Sequence, residues 1–262
     1  MTEVGADRLI RRWFDAALCA VEPASAVARA ISCDGRSLLV RGRQIPVRGR
    51  LVVVGVGKAA VTMALGAEAA CGDCVDAGLV ITKDGHATGE RPRRVRVVEA
   101  SHPIPDERGV RGTREMLGLL GGLGRGDVVL ALISGGGSAL LEAPRPPVTL
   151  DDLAHTTDLL LRAGAPIQDL NAVRIPLSLV KGGGLRRAAG QATMVTLILS
   201  DVLGNDTRII ASGPTVRGDP AGTAALALLD RYHVRDRVPS TVVRALASIP
   251  ETTAMWNFPD DA

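Results

Sequence analysis

The sequence predicts an α/β fold: a mainly parallel sheet with helices on both faces. Three observations carry that expectation. Short, nearly unbroken apolar runs recur along the chain, segments of helical periodicity lie between several of them, and each run ends in a polar, glycine-bearing loop. Strands covered on both faces read as continuous apolar runs, and their alternation with helices is the pattern of a parallel sheet.

The elements follow in order. Residues 5–21 place Leu9, Ile10, Trp13, Phe14, Ala17 and Leu18 on one face, the pattern of an amphipathic helix. Residues 31–48 read as a small hairpin, apolar at 38–40 and 45–47. Strand candidates then fall at 51–54, 78–81, 95–100, 128–133 and 194–199, leading into GVGK, TKDGH, SHPIPD, SGGGSA and SDVLGND. Helices are expected over 58–71, 107–121, 150–163 and 222–231. The whole reads as one large α/β domain over 1–250 and an irregular tail over 251–262.

Composition narrows the function. The 262 residues are 46% hydrophobic, carry a net charge of +3 and contain only 2% aromatics. That excludes the basic, aromatic-rich surface of a nucleic-acid binder. The alternating Arg91, Arg93, Arg94 and Arg96 read as a solvated strand edge. No apolar stretch is long enough to span a bilayer, and Glu3 and Asp7 precede any apolar segment, so a cytoplasmic location is expected. Of four cysteines only Cys71 and Cys74 have a suggestive spacing. With no second pair they read as small thiols near a helix end.

The cations are more telling. Among 31 basic residues only three are lysines, Lys58, Lys83 and Lys181, and each lies within two residues of a glycine. Where arginine fills most cationic positions, a remaining lysine is a candidate for work that needs a compact ammonium, such as holding a phosphate.

The unusual polar motifs all fall where a strand candidate ends, which is where parallel sheets bind ligands. In GVGKAA, Gly57 and Lys58 stand between a strand and a helix. A tight crossing explains this motif as well as phosphate binding does. Ser134, Gly135, Gly136, Gly137 and Ser138 form a candidate oxyanion nest, favoured over a merely flexible turn because it joins a core strand to an apolar helix start. Asp201 could hold a metal ion against phosphate, accept a proton from an attacking hydroxyl, or cap the next turn. His102, in a rigid loop with Pro103, Pro105 and Asp106, could bind a small acid or be structural. Asn171, Arg174 and Lys181 are candidate carboxylate or phosphate holders, and Lys83, Asp84 and His86 form another charged loop. Hydrolase signatures such as GxSxG or HExxH are absent.

Six motifs in this order, GVGKAA, SHPIPDERGVR, DVVLALISGGGSALL, NAVRIPLSLVKGGGL, LILSDVLGND and IASGPTV, resemble the MOFRL-type glycerate 2-kinases over about residues 7–248. The resemblance implies a Rossmann-like larger domain, a smaller C-terminal domain closing over its cleft, and ATP- and Mg²⁺-dependent phosphorylation of D-glycerate to 2-phosphoglycerate. By motif, Lys58 is the expected catalytic lysine, and Asp201 is the second catalytic residue. Asp201 and Asp206 are candidate Mg²⁺ ligands. The SGGGS loop is the expected phosphate or substrate cradle, with Asn171, Arg174 and Lys181 lining the cleft. Two departures stand out. Where the family commonly has Lys-His, this chain has Ile175-Pro176, and it ends at Ala262 without the family's C-terminal domain. The expectations are therefore a glycerate kinase impaired by truncation, working as a homodimer or with a separately encoded second domain. The alternative is a non-catalytic nucleotide- or hydroxy-acid-binding remnant. A nicotinamide-dependent hydroxypyruvate reductase is disfavoured, because no full GxGxxG is present.

Overall fold

The structure, a computed structural model, describes residues 3–218 and 221–249, without the side chains of residues 3–6. The expected tail at 251–262 lies outside the described residues. Helices α1 (Glu3–Ala20) and α2 (Pro23–Ala30) lead into a meander of β1 (Ile31–Asp34), β2 (Ser37–Val40) and β3 (Arg43–Pro46). Next come β4 (Leu51–Val56), α3 (Ala60–Cys71), β5 (Val75–Lys83), β6 (Val95–Ala100), α4 (Glu107–Gly121), β7 (Val128–Ser134) and the short α5 (Gly137–Leu140). Then follow α6 (Leu150–Arg162), α7 (Ile167–Arg174), the short α8 (Gly184–Ala188), β8 (Thr193–Leu199), α9 (Gly222–Arg231) and α10 (Ser240–Ala247).

The main sheet has the order β6-β5-β4-β7-β8, and every neighbouring pair is parallel. All six residues of β4 and all seven of β7 are buried, as their uninterrupted apolar sequences require. Alternation along β4 divides the core into two layers. Val52, Val54 and Val56 pack with Met116 and Leu120 of α4, Leu140 of α5 and Leu185 of α8. Leu51 and Val53 pack on the opposite face with Ala60, Met63 and Ala64 of α3, Val27 of α2 and Leu38 of the meander. A third apolar cluster, absent from the sequence reading, joins α6, α7, α9 and α10 through Leu153, Leu160, Val173, Leu229 and Val242.

Two local expectations needed revision, and one element that forms as expected leaves its apolar side chains exposed. The small hairpin is a three-stranded antiparallel meander, because Ile31–Asp34 also pairs with β2. Its Ser32 and Asp34 hid the strand, although Ile31 is buried in the layer under α3. Helix α3 begins at Ala60, two residues late, because Gly57 takes φ +121° to bring the chain across the sheet edge. The amphipathic helix α1 forms, but Ile10, Trp13 and Phe14 are 60–65% exposed. Among the described residues, no helix is long and apolar enough to cross a membrane.

Candidate functional site

In this strand order β4 is central; the chain builds β5 and β6 on one side, then β7 and β8 on the other. The loops after β4 and β7 therefore meet at the reversal point on the carboxyl edge, where such sheets leave a ligand crevice. They are bonded together there. The N–H of Lys58 donates to Gly135 O at 2.9 Å, and that of Ala59 donates to Ser134 Oγ at 3.1 Å. The Thr82 hydroxyl donates to Gly57 O at 3.1 Å. A Cβ at Gly57 would run into the backbone of Ser134, so this crossing needs glycine for space as well as for φ.

Three loops then converge on the glycines of the SGGGS turn. Gly136, at φ +84°, lies under two side chains: a Cβ there would stand 3.2 Å from the His102 ring and 3.4 Å from Lys58 Cε. Beside it, Gly135 lies against the carboxylate of Asp201, which a Cβ would strike. Lys58, His102 and Asp201, distant in sequence, thus share one small surface whose floor is backbone. Lys58 and Asp201 are both exposed. Ser138 closes the far end, its hydroxyl 2.9 Å from that of Ser212.

The electrostatics of this surface are cationic on one side. His102 has its pKa pushed below the ordinary histidine value by partial burial, and then by the positive charges of Lys58, Lys83 and His86. It is therefore held as a neutral imidazole near pH 7, able to donate one hydrogen bond without adding a full charge. His86 is itself anchored, its Nδ1 donating to Lys58 O at 3.2 Å. Asp84 is paired with Arg108 through two bonds of 2.7 and 2.6 Å. That TKDGH loop thus supports the site from the side.

The other sequence candidates lie elsewhere. Lys181 does not line the cleft: it is 1% exposed, and its ammonium donates to Ser138 O at 2.9 Å, Leu141 O at 2.8 Å and Glu142 Oε2 at 2.9 Å. All three donors are used inside the protein, so phosphate holding by Lys181 does not fit. It fastens the carbonyls of the α5 turn from behind. Arg174 also turns inward, 3.8 Å from Glu142. Asn171, half-buried on α7, accompanies it and is not among the groups gathered at Gly135–Gly136. Asp206 pairs with Arg208 through both oxygens, at 3.1 and 2.9 Å, so Asp201 is the carboxylate that faces the cradle. Among the described residues, no cluster of three or more His, Cys, Asp or Glu suits a metal ion. Ile175 and Pro176, the departure noted in the sequence, border a cavity of about 200 Å³ with Val216, Arg208 and Arg217. Sequence reasoning missed Glu142 and Thr82. A lone acid directly after SGGGSALL, inside an otherwise apolar stretch, was the available signal for the first.

The arginine run leading into β6 is solvated and paired, Arg94 with Asp73, Arg96 with Glu115 and Arg91 with Glu99.

Fold and site together define a parallel α/β protein with a glycine-floored, cation-flanked cradle at the strand-order reversal. The particular family follows from comparison with known proteins. A family profile described as a domain of unknown function, DUF4147, matches residues 9–247, and the chain belongs to that family. Glycerate 2-kinase of Pyrococcus horikoshii is 40% identical over 228 residues, which cover 86% of this chain and 50% of that protein. Human glycerate kinase is 42% identical over 251 residues, covering 90% of this chain and 48% of that one. Among solved structures, a Pyrococcus horikoshii protein superimposes with a TM-score of 0.86 at 38% identity, over 92% of this chain and 54% of its own. Glycerate kinase of Thermotoga maritima gives 0.73 at 34% identity, over 89% and 55%. The chain thus spans about half the length of the relatives it matches.

Proposed function

We propose that this chain is the phosphate-handling half of an ATP-dependent glycerate 2-kinase, with the transferred phosphoryl group lying on the SGGGS turn between Lys58, His102 and Asp201. The observation that supports this most is the convergence of those three side chains on Gly135 and Gly136, in a family whose named relatives include glycerate kinases.

Phosphoryl transfer asks a protein for positioning and charge stabilisation more than covalent chemistry. The 2-hydroxyl oxygen of glycerate would attack the γ-phosphorus while the bond to the β–γ bridging oxygen breaks, giving 2-phosphoglycerate and ADP. Lys58 places a compact ammonium where negative charge spreads over the equatorial oxygens. The neutral His102 can donate a hydrogen bond to one of them. Asp201, against Gly135, is the group assigned to take the proton of the attacking hydroxyl. Mg²⁺ in such sites is commonly held by one or two carboxylates together with substrate phosphates, and Asp201 alone fits that mode. When bound there, the ion would neutralise phosphate charge.

The test is ATP-dependent phosphorylation of D-glycerate by the chain alone, then with the second half of a relative supplied in trans. We expect weak or undetectable turnover alone and recovery in trans. A chain that binds neither ADP nor pyrophosphate would sink the proposal. The half-length span keeps a second reading open, a non-catalytic binding module. It predicts nucleotide or hydroxy-acid binding with no turnover under either condition.

A further inference from the structure

We infer that the apolar groove between the His102 loop and α6 is the seat of the nucleotide's base. The inference rests on the phosphate cradle proposed above and extends it. The groove has a volume of about 420 Å³, inside the roughly 300–1,000 Å³ usual for small-ligand pockets. Pro103, Ile104 and Pro105 form one wall; Leu150, Leu153, Ala154 and Leu161 form the other. Two of these side chains are unusually exposed for their size, Ile104 at 69% and Leu161 at 55%. Both line the same groove, so an inserted flat ring would cover apolar surface that is otherwise exposed.

Continuity with the cradle selects the occupant. Pro103 directly follows His102, whose ring lies against Gly136, so one peptide bond joins the groove's wall to the front of the cradle. A molecule with its phosphates on Gly135–Gly136 and a hydrophobic end one short linker away matches both places, as a nucleoside phosphate does. The groove's polar edge adds detail. The Thr157 hydroxyl donates to Leu153 O at 2.7 Å, so toward a ligand it offers lone pairs, and neighbouring Asp158, one oxygen of which accepts from Arg162 at 2.7 Å, offers only acceptors. An acceptor edge beside aliphatic walls suits the amino group of a base. Aliphatic walls also bind rings by burial alone, which fits a chain with so few aromatics.

Calorimetry with ADP and with pyrophosphate separates the groove from the cradle. Both probes present a diphosphate, but only ADP carries a base. The wild-type chain is expected to bind ADP at least tenfold more tightly than pyrophosphate. Ala154→Trp, at an exposed helix position, fills the groove and should weaken ADP by about tenfold while leaving pyrophosphate unchanged. Leu161→Ala removes part of one wall and should weaken ADP severalfold, again without effect on pyrophosphate. This second variant keeps the test decisive if the tryptophan perturbs α6. An ADP affinity unmoved by both variants, with pyrophosphate still bound, overturns the base site and leaves the groove to a protein surface; the cradle survives. A wild-type chain that binds neither probe overturns both assignments together.

Discussion

Lys58 and Lys181 sit on opposite sides of the same turn, and their surroundings assign them opposite work. In front of SGGGS, Lys58 is exposed, with its Cε over Gly136 and no reason of packing to be lysine. Behind it, Lys181 is fully enclosed, bonded to two carbonyls and paired with Glu142. Burial pushes the Lys181 pKa down, Glu142 pulls it back up, and Arg174 beside the pair pushes it down again. The same rare residue type, each time next to glycine, is thus a candidate for chemistry on one face and a fastening on the other. Scarcity of lysine pointed to both; burial tells them apart.

The largest expected effect concerns the rear lysine. Lys181→Met would leave the buried Glu142 with the Ala143 N–H and the more distant Arg174, and would strip the carbonyls of Ser138 and Leu141 of this donor. Breaking a buried pair in this way costs about 3–5 kcal/mol of stability. Urea unfolding monitored by circular dichroism measures it. Replacing both partners, Lys181→Met with Glu142→Leu, should recover a large part of the loss, since a buried ion pair is often no better than apolar packing. If the single variant is as stable as wild type, the rear of the cradle is not fastened by this lysine.

The front lysine should behave in reverse. Lys58→Arg is expected to leave unfolding unchanged and to lower phosphoryl transfer by about 100- to 1,000-fold in the trans-complemented assay, the scale of losing one transition-state donor. A guanidinium fork is too broad to replace a compact ammonium there. Activity that survives this change would mean that a cation elsewhere stabilises the transferred group. Between front and rear lies Gly136 itself. Gly136→Val must place a branched side chain at φ +84° and against the His102 ring, a backbone cost of about 1–2 kcal/mol. Pyrophosphate binding should weaken by tenfold or more while the fold persists, which calorimetry on the folded variant reads directly.

How far the sequence led follows the same division between pattern and burial. The five sheet strands and the helices at 107–121 and 222–231 were legible because β4, β7 and their neighbours are apolar without break, and because α4 and α9 carry helical periodicity. Shared location at strand ends also groups Lys58, His102, Asp201 and SGGGS, and the fold brings these side chains together at Gly135 and Gly136. What stayed hidden depends on long-range contacts. Lys181 and Arg174 read as cleft residues because nothing local marks the Glu142 carboxylate as their partner. Asp206 looked free because its tie to Arg208, two residues on, depends on how the loop folds back. The cluster of α6, α7, α9 and α10 escaped notice because α7 and α10, eight residues each, are too short to carry a clear periodic signal, although α6 and α9 are expected as helices.

The smallest effect probes the front alone, through pH. Burial and the charges of Lys58, Lys83 and His86 lower the His102 pKa in the folded chain below its ordinary 6.5. Above that value both folded and unfolded states carry neutral imidazole, so the contribution to stability is fully present. As pH falls through 6.5 the unfolded chain takes up a proton that the folded chain refuses, and stability is progressively lost until the folded pKa is reached. Asp106, Asp127 and Asp152, whose pKa values are also lowered, lose their contributions only as pH falls below about 3.8, so the two windows are distinct. His102→Gln should therefore flatten the decline in stability between pH 7 and 5 without altering it at pH 7.5. Pyrophosphate sharpens the test. An anion seated between Lys58 and His102 neutralises the repulsion and rewards protonation, so the His102 proton resonance should titrate at higher pH with pyrophosphate than without. A titration midpoint that ignores pyrophosphate would place the anion away from His102, while a decline in stability unchanged by His102→Gln would remove this histidine from the front of the cradle altogether.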